Sequence, residues 1–158
     1  MTAIHRLLFC APRASGVMPT LANALEQLQP GAQRWLSGGV REPQLQPAGE
    51  RILLLADGEE LVDWCELWAA WRLPVVLALP CSERIAAGAA LHEALLQRRG
   101  VPLLGLLQVG GGWDATQRRR DALPWLGCWD PAEPLDLAGF QALLLRRFHS
   151  LDPSQGAA

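Results

Sequence analysis

Three apolar runs, Arg51-Ile-Leu-Leu-Leu-Ala56, Pro74-Val-Val-Leu-Ala-Leu79 and Val101-Pro-Leu-Leu-Gly-Leu-Leu107, are separated by two segments of helix length. The first run stops at Asp57-Gly58, a turn signal, and Pro80 closes the second. Residues 61–72 carry helical spacing. Ser82 stands where it would cap a second helix, whose apolar positions reach Leu96 and which ends near Gly100. Runs that are continuous rather than alternating predict strands covered on both faces, hence a parallel sheet in an α/β fold.

Outward from this unit, residues 5–10 predict a first strand, followed by the loop Ala11-Pro-Arg-Ala-Ser-Gly-Val-Met-Pro-Thr20. A helix then runs to Gln29, with Pro19 in its first turn and Leu21, Leu25 and Leu28 on one face. Strand, small-residue loop and helix is the layout that holds phosphate on backbone amides and a helix N-terminus. Residues 30–50 read as loop, with a minor strand at Arg34-Trp-Leu36. Gly110-Gly-Gly112 follows the third run at its carboxyl end, where doubly wound folds place ligands, although a flexible turn is the plainer role. A short arginine-rich helix over residues 115–122, a final strand over 124–129 and a last helix from a cap at Asp136 to Phe148 complete one domain over residues 1–149. Residues 150–158 have nothing to bury and predict a disordered tail.

Composition excludes several chemistries. The 158 residues are half hydrophobic with a net charge of −2, so no basic face for nucleic acid is expected. No apolar run approaches the roughly 20 residues that cross a bilayer, and no secretory core follows the start, so a cytoplasmic location is expected. Cys10, Cys65, Cys81 and Cys128 form no CxxC pair and read as reduced thiols. All 14 basic side chains are arginines. Schiff-base chemistry, a lysine base and the lysine of a phosphate loop are therefore absent from this chain.

Several segments together resemble the dethiobiotin synthetase group of P-loop proteins, which includes the cobyrinate amidation enzymes. Gly16-Val-Met-Pro-Thr20 sits where that family has G-V-G-K-T, and Trp35-Leu-Ser-Gly-Gly39 is similar to its second short strand and following loop. Leu53-Leu-Leu-Ala-Asp-Gly58 resembles the strand that ends in Glu-Gly-Ala-Gly-Gly. The block from Leu73-Pro-Val-Val-Leu-Ala through His92-Glu-Ala-Leu-Leu-Gln-Arg-Arg-Gly-Val-Pro-Leu-Leu-Gly105, and the closing Pro124-Trp-Leu-Gly127, agree with it in order and spacing. The resemblance implies a three-layer parallel sheet of P-loop NTPase type. It also implies an ATP and Mg²⁺ site, with Ser15, Gly16, Val17 and Thr20 holding the cofactor, Thr20 and Asp57 the metal, and Arg13 and Asp57 the catalytic charge.

The departures fall in the chemistry. Pro19 replaces the loop lysine, Met18 the preceding glycine, and Trp35 or Leu36 a second lysine. Losing one positioned charge contact commonly costs about 2.7–4 kcal/mol in the transition state. The expectation is therefore a relative without ATP-dependent carboxylation, acting as a binding, regulatory or dimerising module. The alternative is an active, ATP- and Mg-dependent ligase of biotin biosynthesis. A third reading is a binder of a small anionic ligand in the old cleft. Trp64, Trp68 and Trp71 recur at i, i+4, i+7 and present a candidate interface for a homodimer or another protein, with core packing as the plainer role. His92 reads as an amphipathic helix position. Arg118-Arg-Arg120 reads as a solvated helix face that would also suit an anion.

Overall fold

The computed structural model describes residues 6–12, 15–31, 33–36, 52–57 and 61–151; the side chains of residues 6, 15, 33–36 and 52–57 lie outside that description. Strand β1 (Arg6–Ala11) leads through a 3-10 turn (Ser15–Val17) into α1 (Met18–Leu28). β2 (Gln33–Leu36) and β3 (Ile52–Asp57) follow, then α2 (Leu61–Ala70), β4 (Val75–Pro80), α3 (Ile85–Arg98) and β5 (Leu103–Val109). The chain closes with α4 (Ala115–Arg120), β6 (Trp125–Trp129) and α5 (Leu137–Leu151). Among the described residues the strands form one six-stranded parallel sheet in the order β2-β3-β1-β4-β5-β6.

The apolar runs explain this sheet. Val75 to Ala78 and Leu104 to Val109 are buried along their length because helices cover both faces. On one face α1 and α5 pack through Leu21, Leu25, Phe140 and Leu144 onto Leu7, Phe9, Val76 and Leu107. On the other, α2 and α3 pack through Trp64, Trp68, Ala89 and Leu96 onto Leu8, Cys10, Leu77 and Leu106. Successive residues of β1 thus feed opposite cores, as period-2 geometry requires.

Local chemistry sets the ends. Asp114 caps α4, its carboxylate accepting from the backbone N–H groups of Thr116 and Gln117 at 2.9 Å. Asp136 accepts from the N–H of Gly139 at the head of α5, as the sequence predicts. Ser82 does not cap α3. Its carbonyl instead accepts the N–H of Ile85, and the helix starts where the Ile85 side chain enters the core. α2 stops at Ala70 rather than residue 72, because Arg72 turns the chain at φ 50° to aim Leu73 inward. α5 runs to Leu151, three residues beyond the predicted stop, so the start of the expected tail is helical.

Candidate functional site

Connections leave β1 and β4 on opposite faces of the sheet and in opposite directions, toward β2 and toward β5. That divergence is a topological switch point, and ligands of doubly wound sheets bind outside the carboxyl ends of the strands beside it. A cavity of about 350 Å³ lies on the α1–α5 face. One wall is α1, which presents Thr20, Asn23 and Gln27 at helical spacing; the other is the segment between β6 and α5, with Asp130 and Glu133 framed by Pro131 and Pro134. Pro19 and Leu135 complete the rim, and Trp129 lies at the back.

Trp129 is held there by the core. Its ring stacks on Phe9 at 5.7 Å between centroids and meets Phe140 at 4.8 Å. The Asp130 carboxylate accepts from the Ala132 N–H at 2.9 Å, and the Glu133 N–H donates to the Asp130 carbonyl, which folds the segment into a turn. Gln141 joins the two walls lower down, its amide donating to the Leu28 carbonyl at 3.4 Å.

A second polar cluster sits beside the cavity at the end of β5. Gln108 is buried, and its amide nitrogen donates toward the carbonyls of Gly110, Gly111 and Gly112 at 3.1, 3.4 and 3.2 Å. Gly110 and Gly111 both take positive φ, near 70°, which lets those carbonyls turn inward. The glycine run is therefore a pinned turn, not the flexible one expected. The Cys81 sulfur packs against Gly111, and the Cys128 thiol donates toward the Gly111 carbonyl at 3.5 Å. Burial pushes the Cys128 thiol up to about 11, helped by the negative charges of Asp130 and Glu133 and by Cys81.

The sequence-predicted residues distribute as follows. Asp57 ends β3 directly opposite Ala11 of β1, so its backbone reaches the same sheet edge as the loop before α1. Its side chain, that of Ser15, and all of Arg13 lie outside the described residues. Gly16 is exposed in the 3-10 turn, whereas Val17 and Met18 turn their side chains into the core. Thr20 lines the cavity. Trp64 and Trp68 do not form a surface stripe. They stack at 6.0 Å within the α2–α3 core, 6% and 0% exposed, and Trp71 packs partly buried on the same cluster. Core packing, the plainer of the two readings, therefore holds for Trp64 and Trp68, whose indoles face the sheet and not a partner. His92 donates through Nδ1 to the Gly88 carbonyl one turn back. Arg118 lies over the Trp125 ring at 5.1 Å and pairs with Asp121 at 3.0 Å, while Arg119 and Arg120 are exposed.

Sequence reasoning missed Asn23, Gln27, Asp130 and Glu133. The first two carried a signal, since with Thr20 they repeat at helical spacing beside the Leu21–Leu25 stripe. Asp130 and Glu133 also follow a strand at its carboxyl end, where ligand residues collect.

No family model matches the chain, and no curated protein does. Among the solved structures that match is a type II dehydroquinase from Propionibacterium acnes, 15% identical over 92% of this chain and 98% of that one, with a TM-score of 0.42. The resemblance to the dethiobiotin synthetase group is corrected: no family model carries it. The quoted segments are apolar strands closed by Pro or Gly and amphipathic helices, which any parallel βαβ unit requires, so they do not single out one family.

Proposed function

We propose that this chain is a non-catalytic binding module that takes a small polar ligand in the cavity between α1 and the β6–α5 segment. The observation that carries this reading is the cavity itself. Its volume of about 350 Å³ falls at the small end of the range of about 300–1,000 Å³ for ligand sites, and it lies at the switch-point edge. Its polar groups suit hydrogen bonding more than chemistry. Thr20, Asn23 and Gln27 are neutral donors and acceptors, the charged groups of the lining are the carboxylates of Asp130 and Glu133, and among the described lining residues there is no histidine, cysteine or lysine.

The sheet is, in this proposal, of P-loop type, with β1 passing through a short turn into α1 at the ligand edge. Pro19 contributes no backbone donor, and Val17 and Met18 are committed to the core, which supports binding without phosphoryl transfer. Reduced thiols at Cys65, Cys81 and Cys128 suit a reducing, cytoplasmic setting.

The test is a screen of small polar fragments, followed residue by residue through backbone amide NMR shifts, with an assay of triphosphate hydrolysis alongside. Hits should move the amides of Thr20, Asn23, Ala132 and Glu133, and hydrolysis should stay at background. Hits that map elsewhere, or turnover of a triphosphate by the purified chain, would overturn the proposal.

A further inference from the structure

We infer that the ligand of this cavity carries an ammonium group, with Asp130 and Glu133 as its counter-charges and Thr20, Asn23 and Gln27 receiving the polar group at its other end. This rests on the binding reading above and narrows it to a chemical class.

Charge selects the class. Two carboxylates line the cavity, and none of the described lining residues is basic. Among the described residues the opposing influence is the N-terminus of α1, near Pro19 and Thr20, equivalent to roughly half a positive charge. Two full negative charges outweigh it, so an anion is repelled and a cation drawn in. The same field is felt outside the cavity, where Asp130 and Glu133 both disfavour the thiolate of Cys128.

Geometry then separates an organic cation from a metal ion. A calcium site needs about six to eight oxygen ligands. Among the described residues no group of three His, Cys, Asp or Glu side chains converges to hold an ion. An ammonium needs only three acceptors. One Asp130 oxygen is already fixed by the Ala132 N–H, which orients the carboxylate and leaves its other oxygen for the ligand. The α1 wall is neutral and offers a hydroxyl and two carboxamides, each able to donate and accept. Pro19, Pro131, Pro134 and Leu135 give the remaining rim a rigid apolar character suited to a short hydrocarbon spacer. An amine separated by a few carbons from a hydroxyl or second amine matches that arrangement.

The experiment titrates the whole chain with 1,4-diaminobutane, with 1,4-butanediol as the neutral analogue, and with inorganic phosphate, reading backbone amide shifts. The diamine should move Thr20, Asn23, Ala132 and Glu133, and the diol and phosphate should bind much more weakly. Asp130→Asn and Glu133→Gln should each weaken the diamine by up to about fivefold, the effect of one partly exposed ion pair. Glu133 is exposed, so Glu133→Gln keeps the test valid should Asp130→Asn disturb its turn; retained spectral dispersion reports the fold. Equal binding of diol and diamine, binding of phosphate at these residues, or unchanged affinity in both variants would overturn the inference. So would fragment hits at the cavity that include no amines, which would leave the binding reading intact. Hits located elsewhere would remove both.

Discussion

Gly111 shows how closely the turn after β5 is fitted. It holds φ 70°, and a β-carbon built there would lie 2.5 Å from the Cys81 sulfur. Gly111→Ala is therefore expected to lose about 1–3 kcal/mol in urea denaturation, from backbone strain and overpacking together. Gly16→Ala, where an added β-carbon meets nothing within 4 Å, should stay within about 0.5 kcal/mol of the parent. Cys128 gives a second prediction at this scale. Its folded pKa of about 11 lies above the ordinary value of 9.0, because burial and the nearby acids disfavour the thiolate. The folded protein then keeps a proton that the unfolded chain gives up, so this contribution to stability is whole below pH 9 and declines between pH 9 and about 11. Denaturation across that window should show a steeper loss in the parent than in Cys128→Ser. Iodoacetamide at pH 8 should alkylate exposed Cys81 well before Cys128, as peptide mass spectrometry would show.

Among the elements, α2 decides between the two readings its sequence left open. Trp64 and Trp68 repeat as an interface stripe would, yet their rings stack inside the core, and the Trp68 indole nitrogen is buried without a hydrogen-bond partner. Trp68→Ala should cost about 3–5 kcal/mol of stability, and sedimentation of the folded fraction should show no change in association state. An altered association state at unchanged stability would return the stripe to the surface. Periodicity fixes which residues share a face, but it cannot say whether that face meets a sheet or a partner, and this is why the helix was legible and its role was not. β3, β4 and β5 were legible for the opposite reason: an unbroken apolar run such as Val75 to Leu79 is stable only when both faces are covered. Ser82 misled because its capping preference is outweighed by the burial of Ile85, 5% exposed, which sets where α3 begins. The pinned glycine turn needed the knowledge that Gln108 points inward beneath it, which no local pattern supplies.

At the scale of the whole molecule, the cavity was hidden because its walls belong to opposite ends of the chain and meet only when β6 takes its place three strands from β1. The same topology sets which parts of the fold open first. β1, β4 and β5 each have a neighbour on both sides and a core on both faces, and Phe9, Val76, Leu77 and Leu106 are fully buried. β6 is an edge strand with partly exposed residues, and α4 beside it has no buried side chain. Local opening exposes little surface, so its free energy scarcely depends on denaturant, whereas global unfolding follows the full denaturant slope. Native-state hydrogen exchange in low urea should accordingly place the amides of Phe9, Val76, Leu77 and Leu106 on the global slope. Those of α4 and of the segment around Asp130 to Glu133 should exchange on a shallower one. A ligand bridging α1 and that segment would have to hold both walls in place, so occupancy should slow exchange at Ala132 and Glu133 more than at α4. Uniform slowing, α4 included, would mean that the ligand stabilises the fold without joining the walls, and the cavity would then not be where it binds.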